Sequence, residues 1–185
     1  MKNQSAFAYL LTFRTYGSWL HGDDRRSVTR VRNKMHLPKI APNIKLHTKM
    51  KQSMSESEFV LNEMQRNTVL NSVIQTCRYN NWRLFAAHIR SNHVHIVLQS
   101  TVAKENTTGK LKIYATKDLK KYHAELSWRK IFWSRHGSMK NIWCEESIFP
   151  ALYYVVRRQG EPMAVYYDNA YYDRFDEALY EAYFL

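Results

Sequence analysis

The chain has little of what secreted and membrane-bound proteins are built from. Its 185 residues include two cysteines, Cys77 and Cys144. That is too few for a disulfide framework and points to a reducing compartment. No stretch approaches the ~18–20 uncharged apolar residues of a membrane-spanning helix, so an integral membrane protein is not expected. Ala6–Phe13 is a short apolar run, but Arg14 ends it and no small-residue cleavage site follows. It therefore reads as a strand and not as a secretory leader. With five glycines and four prolines there is no low-complexity segment, and no internal repeat is visible. Hydrophobic residues make up 45% of the chain, enough for a core, which excludes disorder as the whole answer.

Acidic residues are also scarce. Sixteen Asp and Glu stand against 28 Lys and Arg, for a net charge of +12. The surplus sits in two blocks: residues 1–50 carry ten basic and two acidic residues, and residues 103–140 carry ten and three. Residues 159–185 reverse the sign, with one Arg against six acids. Basic blocks interleaved with 14% aromatic residues fit a polyanionic partner whose unpaired bases stack on rings. A solvated basic surface is the plainer reading of the same charges.

The periodicities predict an α+β chain. Ala6–Thr15 reads as a strand with Phe7, Tyr9, Leu11 and Phe13 on one face. Residues 17–50 read as a long, mostly irregular basic excursion. Ser55–Glu58 reads as a capping box opening a helix to about Tyr79. Arg83–Ile89 and His93–Gln99 read as a hairpin turned at Arg90–Asn92. Thr116 is expected to cap a second helix carrying Leu119, Tyr122 and Leu126, and Ile131–Trp133 to form a strand. Ser147 opens a third helix, with Pro150 in its first turn and Gly160 past its end. The order implies a ferredoxin-like split βαβ antiparallel sheet with helices on one face and an extra C-terminal helix. Residues 1–166 form the expected domain, and 167–185 an acidic, Tyr-rich tail.

The hexamer His93–Leu98 (HVHIVL) is the most informative stretch. Strand alternation puts Val94, Ile96 and Leu98 on a core face and His93, His95 and Val97 on the other. The histidine Cα atoms are then about 7 Å apart, close enough for the two rings to share a metal ion. Spacing alone does not separate that from two solvent-facing or core-bonded histidines. Downstream, Tyr154-Val-Val-Arg-Arg-Gln159 supplies a tyrosine and a side-chain amide.

On Phe7–Asp23, Ser91–Val97, Arg135–Glu146 and Tyr154–Tyr166, the sequence resembles the HUH single-strand DNA transposases with one catalytic tyrosine, in particular the REP-associated tyrosine transposase group. The resemblance implies metal ligands at His93 and His95, a nucleophile at Tyr154 and a third ligand at Gln159. The tyrosine-to-amide gap is five residues here against four in the best-known members, about 140° further round an ideal helix than Tyr154 itself. Tyr153 is a competing nucleophile. The implied function is metal-dependent cleavage and rejoining of single-stranded hairpin DNA through a 5′-phosphotyrosine, with Mg²⁺ or Mn²⁺ as the cofactor and Zn²⁺ the competitor. A homodimer, no membrane partner and a cytoplasmic, nucleoid-associated location are expected with it.

Two other functional classes compete. One is a catalytically idle binder of single-stranded DNA or RNA hairpins on the same fold. The other is an HUH relaxase or replication initiator, whose usual extra domains 185 residues cannot hold. Phosphate contacts are expected from Arg25, Arg26, Arg30, Arg32 and Lys34, and from Lys110, Lys112, Lys117, Lys120 and Lys121. Trp19 and His21 are candidates for base contact, and Trp19 equally for pinning its loop. Trp128, Trp133 and Trp143 are expected in the core, and His88 and His136 in structural roles.

Overall fold

A computed structural model describes residues 6–24 and 41–174. Strand β1 (Ala8–Thr15) is an interior strand of the sheet, with Leu11 and Phe13 fully buried on one side. Helix α1 (Ile44–Gln52) follows, capped by the Asn43 side chain, which accepts from the Leu46 N–H. It lies inside the stretch expected to be irregular and buries no side chain. An absence of apolar periodicity therefore hid a helix that contributes nothing to the buried core. Residues 25–40, including Arg25, Arg26, Arg30, Arg32 and Lys34, lie outside the described residues.

Helix α2 (Glu63–Tyr79) starts later than expected. Its capping box is Asn62 with Gln65, each side chain bonding the other's backbone N–H. Ser55–Glu58 is instead a bend followed by irregular chain, and Glu56 is engaged elsewhere. Its carboxylate accepts the backbone N–H groups of Lys130 and Ile131 and pairs with the buried Arg129. Strands β2 (Arg83–Ile89) and β3 (His93–Gln99) occupy the expected residues. Helix α3 runs over Lys104–Tyr122, starting well before the Thr116 expected to cap it. Thr116 sits in mid-helix, where its hydroxyl accepts the Trp133 indole N–H. Strand β4 is Trp133–Ile142, not Ile131–Trp133. It lies at the sheet edge with Arg135–Ser138 exposed, so no apolar alternation betrays it. Helix α4 (Ile148–Arg157) begins after Ser147 as expected.

The strands order as β4-β1-β3-β2-β5, antiparallel throughout. The first four form the expected split βαβ arrangement. Strand β5 (Ala164–Tyr167) extends the β2 edge, and a short helix α5 (Asn169–Tyr172) follows. The boundary expected at 166 runs through β5, and Tyr171 beyond it is buried against Phe85.

Each face of the sheet carries its own core. Helices α2 and α3 cover the first, closing on Leu11, Phe13, Ile89, Val94, Ile96 and Leu98. Full burial of such a side chain contributes about 1.5–3 kcal/mol. Helix α4 covers only part of the second face, closing on Ala86, Val97 and Ala8 through Ile148, Leu152 and Val155. Trp133 packs edge-on against Phe13 as a core residue. Trp128 and Trp143, expected inside, are 63% and 55% exposed. His136 is likewise exposed on β4. Among the described residues, no helix is long and apolar enough to cross a membrane.

Candidate nucleophile and metal cleft

The uncovered part of the second face holds a polar row across four strands. Ser138 on β4 pairs with Thr12 on β1, Thr12 with His95 on β3, and His95 with His88 on β2. Paired residues share a face, so the register alone lines these side chains up. His93 is one step further along, opposite Arg14. The cleft above them has a volume of about 540 Å³, and its lining includes Thr12, Arg14, Trp19, His93, His95, Lys140, Tyr154 and Gln159.

Every imidazole of the row is held by a partner on Nδ1. His93 Nδ1 lies 2.7 Å from Asn92 Oδ1. An amide oxygen only accepts, so Nδ1 carries the proton and Nε2 keeps a lone pair. His95 Nδ1 shares a 2.8 Å hydrogen bond with the Thr12 hydroxyl. His88 Nδ1–H donates to the Val155 carbonyl, and its Nε2 accepts from the Met163 N–H. That fully buried ring ties α4 and the segment after it to the sheet, a structural role as expected. Burial pushes the His93 and His95 pKa values down to about 4 and about 3. The Arg90 charge adds to the shift at His93, and the His93 charge adds to it at His95. Both rings are neutral at pH 7, the form that ligates metals.

Helix α4 delivers the tyrosine. The Tyr154 ring meets His95 edge-on, 5.4 Å between centroids, and His95 meets His93 the same way at 4.8 Å. Tyr153 turns aside, toward Phe149 and the Arg158 guanidinium, and lines no part of the cleft. Gln159 resolves the five-residue gap by leaving the helix. Its Nε2 donates to the Tyr154 carbonyl at 2.9 Å. A carbonyl only accepts, so Oε1 is the end left to interact with the two imidazoles, on both of which the amide acts. Gly160 follows at φ +75, a backbone conformation that turns the chain immediately after Gln159.

His93 Nε2 and Gln159 Oε1 are acceptors, and His95 Nε2 joins them when the Thr12 hydroxyl accepts from His95 Nδ1–H. That donor set fits a divalent cation. No cluster of three or more His, Cys, Asp or Glu side chains suited to a metal occurs among the described residues.

Comparison with known proteins adds a distant likeness in shape. A solved structure described as a REP-associated tyrosine transposase bound to a REP hairpin aligns with a TM-score of 0.47 at 10% identity, over 85% of this chain and 70% of that one. No family model matches the chain, and no curated protein matches it.

The expected phosphate contacts on α3 lie elsewhere. Helix α3 packs on the first face of the sheet, opposite the cleft. Lys110 bonds Asn80 Oδ1, and the half-buried Lys112 bonds the Ser134 carbonyl, its pKa lowered by burial. Lys117, Lys120 and Lys121 are exposed. Sequence reasoning missed Thr12, Arg14, Ser138 and Lys140. Strand alternation did hold a signal for β1: with Tyr9, Leu11 and Phe13 facing the core, Thr12 and Arg14 face the other way. For β4 the signal was absent. Trp19 does line the cleft, beneath the Arg14 guanidinium, and His21 does not line it.

Proposed function

We propose that the protein cuts and rejoins single-stranded DNA, with Tyr154 as the nucleophile. The observation that carries this is one cleft holding a tyrosine beside two oriented neutral imidazoles and an amide oxygen. The Tyr154 oxygen forms a bond to phosphorus as the bond from phosphorus to the 3′ oxygen breaks. The tyrosine gives up its proton and the 3′ oxygen takes one up, so the step is proton-neutral overall. The products are a 5′-phosphotyrosine and a 3′-hydroxyl. Rejoining is the reverse reaction and needs no nucleotide hydrolysis.

His93, His95 and Gln159 would hold Mg²⁺ or Mn²⁺. When bound there, such an ion supplies Lewis-acid polarisation of the phosphoryl group and offsets charge developing on its oxygens. Thr12 and Asn92 orient the two rings, the role that outer hydrogen-bond partners play at metal sites. His88 holds the end of α4, and with it Tyr154, against the sheet. Histidines, amide and tyrosine all belong to one chain, so the reading requires no second copy to complete the cleft. The substrate is an unpaired strand presented by a hairpin, since a cleft of about 540 Å³ has no room for a double helix.

The test is incubation with labelled hairpin DNA and Mn²⁺, followed by a denaturing gel and peptide mapping of the shifted band. An adduct on Tyr154 is expected, and none with His95→Ala. Folded protein that binds several hairpins yet forms no adduct with any of them would overturn cleavage and leave binding alone.

A further inference from the structure

Gln159 stands on a stretch of backbone that burial does not fix. Helix α4 ends at Arg157 and β5 begins at Ala164. Between them residues 160–163 are exposed, and Gly160 has a positive φ. The Gln159 side chain bonds the Tyr154 carbonyl, which orients the amide against the helix end but does not fix the turn that follows. A ligand carried on such a segment keeps its place only if a rigid element holds the segment.

Arg90 supplies that hold. Its Nη1 donates to the Glu161 carbonyl at 2.9 Å, two residues beyond Gln159, and its guanidinium lies beside Gly160. The bond from Met163 N–H to His88 Nε2 falls next to β5, where Ala164 already pairs with Ile89. The Arg90 bond acts earlier, within the turn itself. Its anchor is rigid. Arg90 N–H donates to the His93 carbonyl at 2.8 Å. In the same hairpin turn the Ser91 carbonyl accepts from Leu61 N–H, and the Asn92 carbonyl from Thr15 N–H. One residue thus reaches the backbone of His93 through its own N–H and the backbone beside Gln159 through its side chain.

The charge on Arg90 works in the opposite direction. It lies close enough to lower the pKa of both imidazoles, and the same field opposes a divalent cation. What Arg90 contributes to a cation site is therefore geometric, and the two effects have opposite signs.

We propose that Arg90 is a positioning residue for the cation site. By holding the Glu161 carbonyl it sets where Gln159 Oε1 stands relative to His93 and His95. This inference rests on the metal site within the function proposed above, and its test is arranged so that the two fail separately.

Mn²⁺ affinity is measured by titration, following the electron paramagnetic resonance signal of the free ion with no DNA present. Arg90→Met removes both the donors and the charge. Positioning predicts binding about tenfold weaker, the lower end of what losing a supporting partner does at metal sites. The charge acting alone predicts tighter binding. Arg90→Lys keeps a donor and the charge, so it should recover most of the loss. On the Gln159→Ala background, Arg90→Met should weaken binding no further, because its effect passes through the amide. Urea unfolding checks that each variant is folded. Should Arg90→Met not fold, Arg90→Gln replaces it, since that side chain loses the charge and stops short of the guanidinium nitrogens.

Unchanged or tighter Mn²⁺ binding by Arg90→Met would overturn the proposal. So would a loss of the same size that persists without Gln159. A wild-type protein that takes up no Mn²⁺, or takes it up undiminished in His95→Ala, would remove the metal site itself and this inference with it. If the Arg90 couplings come out as expected but hairpin DNA gives no adduct, the positioning role stands and the cleavage reading falls.

Discussion

The two faces of the sheet are made by the same strands and do opposite work. On the α2/α3 face, β1 and β3 present Leu11, Phe13, Val94, Ile96 and Leu98, all buried. On the α4 face the alternate residues are Thr12, Arg14, His93 and His95. The first face is closed by two long helices. The second is closed by one short helix that leaves a cleft over the polar row. The larger apolar core lies on one side and the polar cleft on the other, separated by the thickness of a single backbone. Changes at adjacent positions of β1 or β3 should therefore have unrelated consequences, and that separation can be tested directly.

The largest expected effect is at the cleft. Tyr154→Phe removes one oxygen and keeps the ring against His95. The protein should fold and bind hairpin DNA with near-native affinity, yet form no covalent adduct. Tyr153→Phe should retain cleavage, because that ring faces Phe149 and Arg158. Peptide mapping distinguishes the two, and an adduct on Tyr153 would reassign the nucleophile.

Next in size is the contrast between neighbours on facing strands. Ile96 is fully buried among the apolar groups of the first face, so Ile96→Ala should cost about 2–5 kcal/mol in urea unfolding. Thr12→Val keeps the shape and removes the hydroxyl that orients His95. Its stability should change by no more than about 1 kcal/mol. Its Mn²⁺ affinity should fall about 10–100-fold, the usual result of losing an orienting partner. Equal destabilisation by both would mean the polar row is part of the folding core.

Proton linkage separates the faces again. Burial lowers the pKa of His88, holds His93 at about 4 and His95 at about 3. The unfolded chain takes up these protons near 6.5. Between the two the unfolded state binds more protons, so stability is complete above pH 6.5 and declines as pH falls toward the folded values. The metal-free protein should lose stability between pH 6.5 and 5, above the range where carboxylates titrate. His95→Asn should flatten that decline. Leu98→Ala should shift the whole curve downward without changing its shape. A wild-type curve level from pH 8 to 5 would contradict the burial of these rings in solution.

What the sequence disclosed follows the same division. The β2–β3 hairpin and the facing of His93 and His95 were legible because alternation is a local property. The start of α4 was legible from Ser147 and Pro150. The partners of the histidines were not, because Thr12 is 83 residues from His95 and only strand pairing joins them. Strand β4 was misplaced since an edge strand exposed on both sides needs no hydrophobic pattern. Thr116 misled because a mid-helix threonine bonded to a tryptophan looks, in one dimension, like a cap. The position of Gln159 depends on a turn closed by Gly160, which an ideal helix wheel does not anticipate.

The smallest expected effect concerns charge on the wrong side of the sheet. Density in the sequence suggests Lys117, Lys120 and Lys121 as phosphate contacts. They lie on α3, and α3 packs on the face opposite the cleft. A six-nucleotide single strand lying in the cleft has no length left to wrap around the sheet. Replacing all three with Gln should therefore leave its affinity within about twofold and its salt slope unchanged. Three lost contacts would instead lower the slope by about 2. The same measurement on Lys140→Gln, a single charge on the cleft side, should show a drop of about 0.7. If the triple variant shows the larger loss, the strand runs along α3, and the two faces share the work of binding DNA.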